Sequence, residues 1–156
     1  MKIKLLAVGK TDANALSELI QKYEFRLQHY LSFSMEFITD IKHSKKITNL
    51  LQKEKEGVLI LRRLNPTDRV FLLDKKGKEY DSMGFANFLQ KQMNSGVKQL
   101  VFVVGGPYGF SEAVYRKAQS QISLSKMTFS HQMVRLFAVE QLYRGLSILK
   151  NQPYHH

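Results

Sequence analysis

The chain has 156 residues, 44% of them hydrophobic and 24% charged, the size and balance of one ordinary globular domain. Its 24 Lys and Arg against 13 Asp and Glu leave a formal charge of +11, a surplus that favours a polyanionic partner, nucleic acid ahead of an anionic membrane surface. Without cysteine there are no disulfides and no thiolate metal sites, and no apolar run reaches the length of a signal segment or a membrane span, so a soluble cytoplasmic protein is expected.

Ile3 to Val8 reads as a buried strand that ends at Gly9. Ala15 to His29 follows as a helix, with Leu16, Leu19, Ile20, Tyr23 and Leu27 at helical spacing. Phe33 to Ile38 is a second strand and Lys42 to Lys46 a basic loop. A helix carrying Ile47, Leu50, Leu51, Glu54 and Val58 runs towards Leu61 and is stopped at Asn65-Pro66. Arg69 to Leu73 is a third strand, closed by Asp74, after which Lys75 to Lys78 turns away. Asp81 or Ser82 caps a helix bearing Phe85, Phe88, Leu89 and Met93 that ends at Gly96. Gln99 to Val104 is an unbroken apolar strand, buried on both faces. Ser111 and Glu112 open a further helix, and Ile122 to Phe129 is extended or looped. The last helix, about His131 to Lys150, has Met133, Leu136, Phe137, Leu142, Tyr143, Leu146 and Leu149 as its expected core face. This alternation predicts an α/β fold, a mostly parallel sheet flanked by helices, with residues 1–156 forming a single domain.

In open α/β sheets ligands bind beyond the carboxyl ends of the strands. Three such ends stand out. Gly105-Gly106-Pro107-Tyr108-Gly109 follows the most buried strand, and its glycines allow a ligand close to the backbone, although it is neither a dinucleotide fingerprint nor a P-loop. Leu72-Leu73-Asp74 offers apolar lining and a carboxylate that either bonds a ribose or caps a turn. Ser123 to His131 mixes hydroxyls with apolar residues and lacks the charge of a solvent loop, so its backbone can read the edge of a nucleobase. The tail, Asn151 to His156, reads either as a frayed terminus or as part of a site. No Ser-His-Asp order, carboxylate pair or metal-ligand spacing is present, and no metal is expected.

Taken together, Met1 to Lys10, the Val103 to Gly109 loop, Leu124 to His131, the stretch Arg135 to Arg144 and Asn151 to His155 resemble one family over the whole chain: the large-subunit ribosomal RNA pseudouridine N3-methyltransferases of the SPOUT superfamily. Ser130 stands where that family often has proline, and His156 where it often has another polar residue. The resemblance implies a C-terminal trefoil knot, against the general rule that chains do not knot. It implies S-adenosylmethionine as methyl donor, held by Leu73, Gly106, Ser125, Lys126, Met127, Thr128, Phe129 and Ser130 with Gly105 as neighbour. It also implies a homodimer whose tails reach the partner's cofactor, and a substrate in ribosomal RNA, met in the assembled ribosome.

Because N3 of pseudouridine carries a proton, the site must remove it or stabilise the anion. Tyr154 and His155 are the candidates to position and deprotonate the base, with Arg144 and Arg135 in support. Lys42, Lys45, Lys46, Arg62, Arg63, Lys75, Lys76 and Lys78 are the candidates to grip RNA phosphates, with steep salt dependence as the sign. The alternatives are a SPOUT enzyme acting on transfer RNA and a non-catalytic basic RNA-binding protein. A nicotinamide oxidoreductase would require a glycine fingerprint that the chain lacks.

Overall fold

The computed structural model describes residues 1–39, 41 and 48–154. Its elements are β1 (Lys2–Val8), α1 (Asn14–Leu27), β2 (Phe33–Ile38), α2 (Asn49–Arg62), β3 (Arg69–Glu79), α3 (Ser82–Asn94), β4 (Gln99–Val104), α4 (Glu112–Lys117), β5 (Ser120–Ser123) and α5 (His131–Leu149). The five strands form one parallel sheet in the order β2-β1-β4-β3-β5.

A parallel sheet must be covered on both faces, and the alternation of side chains along each strand divides its apolar residues between two layers. On one face Ile3, Leu5, Leu100, Phe102 and Phe71 pack against α1, α3 and α5 through Ile20, Leu27, Phe85, Leu89, Val139 and Leu142. On the other, Leu6, Val8, Val70, Leu72, Val101 and Val103 meet Ile60 of α2 and Val114 of α4. Burying a leucine such as Leu5 or Leu100, each fully buried, contributes about 1.5–3 kcal/mol. Local signals fix the ends of the helices. Thr48 accepts a hydrogen bond from the N–H of Leu51, and Asp81 accepts one from Gly84, each satisfying a free donor of the first turn.

Three elements differ from their expected form. First, β3 does not end at Leu73 but continues to Glu79, because β5 pairs with it twice. Leu73 and then Lys78 both align with Ile122, so residues 74–77 form a bulge instead of turning away. At Gly77 a Cβ would lie 2.5 Å from the backbone of Gln121 and Ile122, so only glycine permits this close passage. Second, β5 is a defined strand that starts at Ser120, ahead of the expected extended stretch. Third, α5 buries more than its expected face: Leu142 and Leu146 are buried and Leu136, Tyr143 and Leu149 pack against the core as expected, but small and polar residues join them. Arg135, Ala138, Val139, Leu142, Gly145, Leu146 and Ser147 point inward, while Met133 is 37% exposed and Leu136 and Phe137 are half-exposed. Small residues allow close packing: a Cβ at Gly145 would sit 2.9 Å from Leu89. The basic loop Lys42 to Lys46 lies outside the described residues.

Candidate functional site

The parallel strands end on one edge, and a cleft of about 740 Å³ opens beyond β3 and β4, within the usual range for a small-ligand site. Its walls come from the three strand ends named by the sequence. Leu73 and Asp74 stand at the β3 bulge, Gly105 to Phe110 follow β4, and Leu124, Ser125 and Met127 to His131 join β5 to α5.

Each loop is held in place. In the glycine loop, Gly109 N–H donates to the Gly106 carbonyl at 3.2 Å, closing a turn with Pro107 in its second position and Gly109 at φ +78°. Phe110 seals the loop from below, its ring 3.0 Å from where a Gly105 Cβ would be. In the serine loop, Ser123 Oγ donates to the Ser125 carbonyl, Met127 N–H donates to Ser125 Oγ at 3.0 Å, and Ser130 Oγ accepts from Met133 N–H as the cap of α5. Asp74 accepts from the Lys76 N–H and, at 2.6 Å, from the Tyr115 hydroxyl, linking β3 to α4 across the floor. Burial first, and then that bond, push the Tyr115 phenol well above its ordinary range. Lys53, Lys75 and Lys76 line one side of the cleft.

A second cluster forms at the far end of α5. Asn151 takes φ +53°, and the N–H groups of Asn151 and Gln152 return to the carbonyls of Ile148 and Ser147, a Schellman closure that reverses the chain. Tyr154 is thereby laid edge-on against Tyr143, with ring centres 4.6 Å apart, and its hydroxyl lies 3.0 Å from that of Tyr23. The same hydroxyl donates to Glu140 Oε1, which also accepts from Nε and Nη2 of Arg144 at 3.1 and 2.6 Å. The Arg144 guanidinium lies 4.8 Å from the centre of the Tyr154 ring. Burial, the Tyr23 bond and the Glu140 charge raise the Tyr154 pKa, so its phenol stays protonated and acts as a donor at neutral pH. The hydrogen bond to Glu140 favours the charged guanidinium of Arg144 and outweighs its partial burial. Through these contacts the tail as far as Tyr154 folds back on α5.

Leu73, Gly105, Gly106, Ser125, Met127, Thr128, Phe129 and Ser130 all line the cleft, whereas Lys126, in the same loop, is exposed outside the lining. Arg144 and Tyr154 do not line it. From His131 at the cleft to Arg144 is 13 residues of helix, roughly 20 Å. Arg135 belongs to neither cluster. It is fully buried, donates to the Val8 carbonyl at 2.6 Å and to Thr11, and ties the end of β1 to α5. His155 lies outside the described residues. Sequence reasoning missed Lys53, Glu112 and Tyr115 as lining residues, since each reads as an ordinary surface position of its helix. Among the described residues no group of three or more His, Asp or Glu is placed to hold a metal ion, and no helix is long and apolar enough to cross a membrane.

A parallel α/β sheet with glycine and hydroxyl loops converging on one cleft beyond its strand ends has the arrangement in which such folds hold small ligands. Residues 1–155 match the family model described as "Predicted SPOUT methyltransferase", and the chain belongs to that family. It is 61% identical over 156 residues to the protein named Ribosomal RNA large subunit methyltransferase H of Flavobacterium johnsoniae. It is 60% and 59% identical to the proteins of that name in Flavobacterium psychrophilum and Parabacteroides distasonis. In all three cases the match covers 100% of this chain and 99% of the relative.

Proposed function

We propose that this protein transfers the methyl group of S-adenosylmethionine to N3 of a pseudouridine in large-subunit (23S) ribosomal RNA, in the cytoplasm and on the assembled ribosome. The observation that carries the reading is the cleft itself, in a chain so similar over its full length to methyltransferases named for ribosomal RNA. The residues present fit the donor. Leu73, Leu124 and Phe129 offer apolar walls for a base, the loop from Ser125 to Ser130 offers backbone groups for its edge, and the backbone of Gly105 and Gly106 lines the cleft beside them. Asp74 and Glu112 supply carboxylates suited to the positive groups of such a molecule.

When bound, S-adenosylmethionine supplies an activated methyl on a sulfonium, so the protein's task is alignment and removal of one proton. N3 gains the methyl as the N3–H bond is broken, and the proton passes to a base. Tyr154, held in place by Glu140 and Tyr23, is assigned to position the target, and His155 to take the proton. Arg144 places positive charge beside the developing N3 anion, with Glu140 fixing its orientation.

A single chain holds these halves about 20 Å apart along α5, and so the working unit is assigned as a symmetric homodimer in which each cleft receives the partner's tail. Two features support this reading. Met127 is 73% exposed at the lip of the cleft, and Phe129 and Met133 are each 37% exposed beside it. The trefoil knot belongs to the same reading, and membership of the family supports it. Lys53, Lys75 and Lys76 place positive charge where RNA would approach.

Mass spectrometry of ribosomal RNA from cells with and without the protein tests the function. The expected result is one methylated pseudouridine that disappears with the protein and returns when it is restored. An unchanged ribosomal RNA, or loss of a methyl from transfer RNA instead, would overturn it.

A further inference from the structure

Helix α2 lies behind the glycine loop and contains an acid where an apolar residue would be expected. Glu56 is 1% exposed, and Gln52, 3% exposed, donates from Nε2 to Glu56 Oε1 at 2.9 Å. The carboxylate is pressed against Gly106. A Cβ built on Gly106 would overlap Glu56 Oε2 and lie 3.0 Å from Glu56 Cδ. One residue on, α2 has no side chain at all: a Cβ at Gly57 would overlap Ser111 Oγ and lie 3.4 Å from Val114. Ser111, 1% exposed, closes the same loop at its other end. Two adjacent residues of α2 therefore hold the segment Gly105–Ser111 at both ends, one by filling space and one by leaving it.

Burying a carboxylate is costly, and a leucine or methionine of similar volume would fill the same space at lower cost. We propose that Glu56 is a positioning residue of the reaction: with Gln52 and Gly57 it sets the height of the Gly105-Gly106 backbone in the cleft, and so the fit of the methyl donor. The inference rests on the cleft being the donor's site. Glu56 touches the loop and not the substrate, so it acts through Gly106.

The test is calorimetric binding of S-adenosylhomocysteine, the demethylated product, to the full-length protein, with thermal unfolding of each variant measured without ligand. Glu56→Ala should weaken binding about tenfold or more, since small displacements of a positioned group are expensive. Glu56→Gln, which keeps the shape and the bond from Gln52, should stay within about threefold of wild type, and Gly106→Ala should lose about tenfold alone but under about threefold in the Glu56→Ala background, the coupling expected of groups in contact. Should Glu56→Ala fail to fold, the shorter Glu56→Asp takes its place in the same comparison. If wild type binds while Glu56→Ala binds equally well, or if the Glu56 and Gly106 losses simply multiply, the inference is wrong and the cofactor site stands. If wild type itself does not bind, the reading of the cleft falls and the inference falls with it.

Discussion

The two ends of α5 are built on different plans. At its N-terminal end the cleft is made of backbone: two glycines, a serine turn, and a helix cap, all fixed by the strands they follow. At its C-terminal end Tyr154, Tyr143, Tyr23, Glu140 and Arg144 are fixed by one another, through side chains from α1, α5 and the reversed tail. A backbone pocket is determined by the fold, and it suits a ligand that is always the same. A side-chain cluster can be reorganised when a large partner arrives, and it suits the part of a site that meets RNA. On the proposed reading, the contrast teaches why one helix can serve both: it would separate a fixed cofactor half from an adaptable substrate half.

The largest effect that separates the halves is expected at His155. His155→Ala should lower the methylation rate by about 10²–10⁴-fold, the usual contribution of a general base, while S-adenosylhomocysteine binding stays at the wild-type level. A fully active variant would remove His155 from the chemistry, and a parallel loss of binding would join the two halves into one.

A smaller effect is expected in alkaline solution. Tyr115 in the cleft and Tyr154 in the tail are both raised above the ordinary tyrosine value of 10.0, by burial first and then by their bonds to Asp74 and Tyr23. The unfolded chain ionises these phenols before the folded chain does, so their stabilisation is complete below the ordinary value and is lost as pH climbs towards the raised ones. The unfolding temperature should therefore decline above pH 10, and Tyr115→Phe should remove part of that decline; an unaltered slope would show that the cleft phenol plays no part in it.

The cleft was legible in the sequence because its signals are local. A buried apolar run followed by Gly105-Gly106, and a hydroxyl-rich stretch before a helix, announce strand ends and loops without knowledge of the rest of the chain. Elements fixed by distant residues were not legible. The second pairing of β5 with β3 depends on Gly77 meeting Ile122, and nothing near Gly77 signals that crossing. The inward face of α5 was legible in part: Leu142 and Leu146 are buried there, but apolar periodicity marks any covered face and misses small and polar residues. Met133 and Phe137 sit on the outward side of that helix, and Arg135, Gly145 and Ser147 on the inward one. Glu56 stood in the run Lys53-Glu54-Lys55-Glu56, which has the charge pattern of a solvated helix face. Only the packing of α2 against Gly106 and Ser111 turns it inward.

The most direct measurement of the split site mixes two inactive proteins. Gly106→Leu drives a side chain into Glu56 and displaces the glycine loop of the cofactor cleft, leaving the tail intact; His155→Ala leaves the cleft intact and disables the tail. Subunits exchanged at random give half mixed dimers, each with one site combining an intact cleft and an intact tail, so activity should return to about a quarter of wild type. If the mixture stays as inactive as its components, cleft and tail belong to the same chain, and the shared site is wrong.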